Sequence, residues 1–135
     1  MTDLVAPALD ALEAVLAAAP SVQAVLGVPA RLYDQRPVMA TFPFAVIDGV
    51  EARDASAKGL QATQLALQLQ VFSRQRSGQE VRHILAVMRD VLQDISVTLS
   101  SGAIVRCQEE LAHTAFDADS NGTRGLARYR LLVSG

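Results

Sequence analysis

Residues 64–74 read QLALQLQVFSR, and residues 77–95 follow closely as SGQEVRHILAVMRDVLQDI. In the first stretch Leu65, Leu67, Leu69 and Val71 alternate with Gln64, Ala66, Gln68 and Gln70. A period of two sends the leucines to one face of a strand and the glutamines to the other. In the second stretch the period becomes that of a helix, with Val81, Ile84, Leu85, Met88, Val91, Leu92 and Ile95 forming one apolar stripe. Ser77 and Glu80 have the spacing of a capping box, in which each side chain accepts from the other's backbone N–H. A one-sided strand beside a one-sided helix implies a sheet with helices packed against one face.

Working outward, residues 4–19 repeat Val5, Ala8, Leu12, Val15 and Ala19 at three- and four-residue spacings, with Leu9 and Leu16 widening the stripe. Asp3 is placed to cap this helix, Pro7 falls at the edge of its first turn, and Pro20 ends it. Residues 21–26 leave room for one short turn before Gly27 and Pro29. Residues 31–34 form a short strand and residues 44–53 a longer one, whose Phe44-Ala45-Val46-Ile47 is a continuous apolar run suited to burial. The polar, small and glycine-containing residues 51–62 read as a long, mobile hairpin loop. After the second helix Ser100-Ser101-Gly102 marks a turn, and strands follow over residues 103–116 and 123–133. On the last strand Tyr129, Leu131 and Val133 share one face, and Arg124, Arg128 and Arg130 the other. The predicted fold is α+β: a single domain over residues 1–135, a mainly antiparallel sheet with two helices packed on it, in the order α-β-β-β-α-β-β.

The 135 residues are 50% hydrophobic and 19% charged, with a net charge of -2. That balance excludes disorder as the main state. A pI of about 5.6 argues against a generally basic nucleic-acid binder. Alanine supplies 22 of the apolar residues, so much of the hydrophobic fraction adds little burial energy. Low charge with small apolar side chains suits a subunit that hides surface against neighbours. Arginine makes up all the basic residues except Lys58, and its planar fork suits interfaces. The uncharged run 14–30 is broken by Pro20, Gln23, Gly27 and Pro29, so it is no spanning helix of about 20 residues. No basic residue precedes Arg31, unlike a secretory signal, which predicts synthesis in the cytoplasm. Cys107 stands alone and allows no internal disulfide.

Catalytic chemistry is not written in the chain. There is no nucleophile elbow, phosphate-binding glycine loop, dinucleotide fingerprint or H-E-x-x-H. Asp117-x-Asp119-x-Asn121-Gly122 matches the first half of an EF-hand loop, but the twelfth position is the cation Arg128 where a bidentate Glu is needed. The stretch reads instead as a hairpin whose Asn-Gly supplies positive φ angles. Cys107, mid-strand, reads as a small buried hydrophobe. His83 lies off the apolar stripe, and His113 has no second His or Cys at ligand spacing. Glu109 and Glu110 are adjacent on a strand, so they point to opposite faces and form no carboxylate pair. The expectation is a protein without catalytic residues, cofactor or metal.

In order and spacing the chain resembles the tail-completion, or tail terminator, proteins of long-tailed phages, found also in gene transfer agent particles. The resemblance rests on the Ala/Leu-rich first helix with its proline-interrupted sequel, then Arg31-Leu32-Tyr33-Asp34 and Phe42-Pro43-Phe44-Ala45-Val46-Ile47. It continues through the strand ending Val71-Phe72-Ser73-Arg74, the amphipathic helix, and the Asp/Gly hairpin into an arginine-rich last strand. Phe72 stands where such proteins often carry Trp.

The resemblance implies a structural virion protein of the tail or neck, made in a bacterial cytoplasm. It implies a homohexameric ring that caps the tail tube and meets the head–tail connector, or stopper. Double-stranded DNA would pass through it without specific binding, and no membrane is involved. Residues Arg53, Asp54 and Lys58 then become candidate contacts reaching towards the tube. Arg74, Arg76, Arg124, Arg128 and Arg130 are further candidates for subunit or tube contacts. The alternatives are another neck or tail-tube component of such a particle, or a small cytoplasmic ligand-binding or enzyme domain.

Overall fold

The computed structural model describes residues 4–93, 95–99 and 102–135. Its elements are α1 (Val5–Ala18), α2 (Pro20–Leu26), β1 (Leu32–Tyr33), β2 (Phe44–Asp54), β3 (Ala62–Ser73), α3 (Gln79–Leu92), β4 (Val97–Leu99), β5 (Gly102–Asp117) and β6 (Gly122–Ser134). The expected order stands, with two small additions. Residues 20–26 form a full helix, so three helices cover the sheet, and β4 is an extra short strand. Asp3, Asp94, Ser100 and Ser101 lie outside the described residues.

One six-stranded sheet runs in the order β1-β2-β3-β6-β5-β4, antiparallel throughout except for the β1–β2 pair. The β3–β6 ladder holds register without interruption from Ala62↔Ser134 to Ser73↔Thr123. It aligns Leu65 with Leu131, Leu67 with Tyr129 and Leu69 with Ala127, all buried. The alternation read from residues 64–71 thus becomes two faces of a central ladder. Helices α1, α2 and α3 cover the leucine face, and the core joins Leu12, Leu16, Val22 and Leu26 to Ile84, Met88, Leu92 and that ladder. On α1 the stripe is centred on Ala8, Leu12 and Leu16, while Leu9 and Val15 are only partly buried.

Helix α3 keeps its predicted apolar face: Val81, Ile84, Leu85, Met88 and Leu92 are buried, each contributing roughly 1.5–3 kcal/mol. That packing stabilises a helix of 14 residues that is marginal alone. The expected capping box does not form. Gly78 occupies the N-cap without a side-chain cap, and the Ser77 hydroxyl accepts from the Gln79 N–H at 3.2 Å. Glu80 is drawn away by stronger donors, accepting from the buried Ser73 hydroxyl at 2.6 Å and from Gln75 at 3.3 Å. Helix α3 comes close to the sheet because β6 carries Gly125, where a Cβ would lie 2.1 Å from Val81 Cγ1.

Two turns differ from expectation. The long loop 51–62 narrows to residues 55–61, because β2 continues pairing with β3 to Asp54↔Thr63. Backbone hydrogen bonding to a strand fixed on its other side carries the pairing through a polar stretch. The turn closes through the Ala57–Leu60 bridge, with Lys58 at φ 51° and Gly59 at φ 79°, the two positive angles of a type I′ hairpin. In the β5–β6 hairpin Asn121 has the expected positive φ of 56°, but Gly122 does not. Gly122 serves clearance: a Cβ there would lie 1.9 Å from the Ser73 carbonyl oxygen.

A second cluster lies on the opposite face of the sheet. Phe44 stacks on Phe72 at 4.9 Å, Phe42 meets Phe44 edge-on at 5.0 Å, and Val46 completes the buried set. Segment 34–43 folds over it, and the Arg36 guanidinium sits 4.5 Å above the Phe72 ring. Arg36 also pairs with Asp117 at 3.2 Å and Asp119 at 3.7 Å, tying this segment to the β5–β6 hairpin. Burial works to raise the Asp117 pKa, but the Ser120 hydroxyl and Arg36 together hold it below its ordinary value of 3.8.

Gly125→Ala is expected to lower the unfolding free energy in urea by about 1–3 kcal/mol, because the Val81 and Leu85 side chains must shift. Arg36→Ala removes two ion pairs and a cation–π contact and is expected to cost about 1–2 kcal/mol in the same measurement. Because Asp117 is depressed when folded, the unfolded chain binds a proton that the folded chain refuses in the window just below 3.8. Its stabilisation is therefore complete above that window and is lost as pH falls through it. Thermal melts followed down to about pH 2 should show a flatter acid limb in Asp117→Asn than in the wild type.

Candidate interaction surfaces

The sheet has one covered and one helix-free face, and the register decides which side chains reach the latter. Ala45 and Val71 belong to the helix-packed core, so their neighbours Phe44 and Phe72 point the other way. Continuing the alternation places Asp48, Glu51 and Arg53 of β2 on the helix-free face, with Gln64, Ala66, Gln68 and Gln70 of β3. Arg124, Arg128 and Arg130 of β6 join them, as the sequence predicts, while Tyr129, Leu131 and Val133 are buried beneath the helices. From β5 come Arg106, Leu111 and His113, opposite Leu132, Arg128 and Leu126 respectively.

The eight candidate residues do not form one patch. Arg53, Arg128 and Arg130 gather with Glu51 and Glu110 around a shallow cleft of about 190 Å³, where Arg130 pairs with Glu110 at 2.6 Å. Asp54, adjacent to Arg53, faces away from it, and Ser56 holds its carboxyl below the ordinary range through its hydroxyl and its N–H. Lys58 sits at the exposed tip of the β2–β3 hairpin beside Leu60, itself 74% exposed. Arg124 lies towards the aromatic end of the face, in register with Phe72. Arg74 is spent there on Phe42, 4.6 Å from its ring, and Arg76 donates to Asn121 Oδ1 at 3.2 Å.

Arg36, Glu110 and Glu51 were not among the contact candidates read from the sequence. Glu110 reaches Arg130 because a β-bulge between Glu109 and Leu111 shifts its position, which no periodicity signals. Arg36 reaches Asp117 across 81 residues of chain, a contact with no local signature. Phe42-Pro43-Phe44 was visible as a motif, but its stacking on Phe72 needs the β2–β3 register. Segment 34–43 also presents Val38 and Met39 fully to solvent, above a cleft of about 310 Å³ that includes Phe42, Phe44 and Arg74.

The residues weighed for chemistry are dispersed. Cys107 is buried in the core, and His83 and His113 are exposed on different elements. Glu109 and Glu110 do point apart, Glu109 accepting from the Tyr129 hydroxyl at 3.4 Å on the helix side. Burial, reinforced by the Glu109 carboxylate, pushes the Tyr129 phenol far above the ordinary tyrosine range, so it stays a neutral donor. Among the described residues no three His, Cys, Asp or Glu side chains converge to hold a metal ion. No single described helix is long and apolar enough to cross a membrane, and α1 and α2 are bent 79° apart.

Comparison with known proteins gives these surfaces their context. No curated protein sequence matches the chain. Among solved structures it is similar to a chain in the virion of a native gene transfer agent particle, with a TM-score of 0.85 and 21% identity, over 99% of this chain and 100% of that one. At that identity the likeness concerns the fold: the same arrangement of sheet and helices occurs in a virion component. The family profile of tail completion protein gp17 matches residues 10–134, from the middle of α1 to the end of β6. The chain therefore belongs to the tail completion protein gp17 family, and it is a structural protein of a phage-type tail.

Proposed function

We propose that this protein is a tail terminator: copies of it close into a six-membered ring that caps the finished tail tube and joins it to the head connector. Double-stranded DNA passes through the centre without being specifically bound. The reading has no catalytic step, and the chain's chemistry is that of contact surfaces.

The observation that carries the reading, in a chain of this family, is the state of the two sheet edges. Among the described residues strand β1 pairs only with Ala45 and Val46, which leaves β2 without an outer strand neighbour over residues 47–54. Among the described residues strand β4 pairs only with Gly102 to Ile104, which leaves β5 without a strand neighbour over residues 105–117, where Gln93 Oε1 accepts from the Glu109 N–H at 3.4 Å. Unpaired edges on opposite sides of one subunit favour association with further chains. Two different surfaces meeting head to tail generate a closed ring when the rotation is right. The β2–β3 hairpin projects past the end of the central ladder with Lys58 and Leu60 at its tip, and it is the element suited to reach the tube.

Light scattering and negative-stain microscopy of the purified chain, alone and with purified tail tubes, test this directly. Rings, free or seated on tube ends, are the expected result, and a monomer that never joins a ring in the presence of tubes would overturn the reading. Asp54→Arg and Lys58→Glu, at the base and tip of the hairpin, are expected to reduce tailed-particle yield about tenfold, the effect of roughly 1.4 kcal/mol lost at a contact. The melting temperature of Lys58→Glu should match the wild type, since that side chain is exposed, whereas Asp54→Arg also loses the hydrogen bond from the Ser56 N–H and should melt slightly lower while remaining folded.

A further inference from the structure

The helix-free face carries more positive charge than it pairs internally. Arg53, Arg106, Arg124 and Arg128 all lie on it, and among the described residues none of the four makes an ion pair or a side-chain hydrogen bond. Around the cleft, Arg53, Arg128 and Arg130 face only Glu51 and Glu110, which leaves the site positive. Beside it Leu111 is 51% exposed and diagonal to the half-buried Leu126, while the half-buried Leu132 lies farther along the same face, opposite Arg106. The end of this cationic, partly apolar face that segment 34–43 leaves uncovered is open to an anionic, small-sided element.

The chain itself contains such an element on its opposite side. Helices α1 and α2 carry Asp10 and Glu13 and no cation. Both acids are exposed, on the side of α1 turned away from the buried Ala8, Leu12 and Leu16. Their neighbours there are Ala6 and Ala14, small enough to let the helix backbone approach a sheet closely. Residues three apart on a helix stand about 5–6 Å apart at Cβ, so Asp10 and Glu13 present a two-carboxylate tooth.

We propose that the outer face of α1 of one copy docks on the helix-free sheet face of a second copy, with Asp10 and Glu13 entering the cleft against Arg53 and Arg128. The inference rests on the ring reading and specifies the face-to-face contact within it. Helices and open face lie on opposite sides of each subunit, so each docking leaves both surfaces available at the two ends. That is a heterologous contact, which closes into a ring through a constant rotation per subunit. The guanidiniums suit the task because a planar fork can take a carboxylate bidentately.

The test uses two charge-reversed chains. Arg53→Glu/Arg128→Glu reverses the face, and Asp10→Arg/Glu13→Arg reverses the tooth. All four side chains are exposed, and melting curves check that both variants fold. In mass measurements across concentration, with and without tubes, each variant alone should need at least about tenfold more protein to assemble than the wild type. Mixed in equal amounts they should recover assembly, because each reversed face then meets a reversed tooth in alternating order. Wild-type assembly should also weaken with added salt.

If the wild type forms rings and the face-reversed variant forms them equally well, the docking is overturned while the ring reading stands. Failure of the mixture to recover overturns it as well. A face-reversed variant that assembles normally but loses retention on duplex DNA assigns the arginine face to the genome and overturns the docking. A wild type that stays monomeric even with tubes overturns both.

Discussion

The uninterrupted pairing of β3 with β6 is the constraint from which the remaining structure hangs. Leu65, Leu67 and Leu69 of one strand and Leu131, Tyr129 and Ala127 of the other meet in one register, and all six are buried under the helices. A slip of one residue between them would send one strand's buried set to the helix-free face and bring its Gln or Arg side chains beneath the helices. The ladders on either side of it tolerate irregularity, and the register shifts are confined to them: one between β2 and β3, two between β5 and β6. The middle of the sheet is rigid by burial, and the edges are adjustable.

That division of labour places the candidate interaction surfaces. The covered face is committed mainly to the subunit's own stability, with only peripheral residues such as Asp54 and Phe116 left exposed. Polar side chains occupy the other face because β3 alternates Leu with Gln and β6 alternates apolar residues with Arg. The end of that face nearest segment 34–43 is closed by Phe42, Phe44 and Phe72 under Arg36 and Arg74. The other end stays open around Arg53 and Arg128. A structural virion protein needs a subunit that holds its shape while offering several distinct surfaces. This sheet does so by making one face a core and leaving the second face and both edges to contacts.

Much of this was legible in the chain. The two periodicities located β3 and α3, and the Tyr129/Leu131/Val133 against Arg124/Arg128/Arg130 alternation assigned both faces of β6. Local reading erred where a side chain found a better partner elsewhere. Ser77 and Glu80 have capping-box spacing, yet Glu80 turns to the Ser73 hydroxyl, a buried donor brought near by the β3–α3 junction. The polar residues 51–54 look like a loop, yet they stay in the sheet because β3 supplies backbone partners. Residues 20–26 were too short and too proline-flanked to read as a full helix. They become one because Val22 and Leu26 are buried against the core.

By itself the sequence determined the main elements, their order and the inward sides of β3 and β6, because hydrophobic periodicity is a local property that burial converts directly into geometry. Only the tertiary structure decided that β6 inserts between β3 and β5, that Phe44 stacks on Phe72, and that the arginines divide between a closed aromatic end and an open cleft. Those outcomes depend on contacts between residues far apart in the chain, such as Arg36 with Asp117. No spacing encodes such pairs, and they form only once the central ladder has fixed the register of everything beside it.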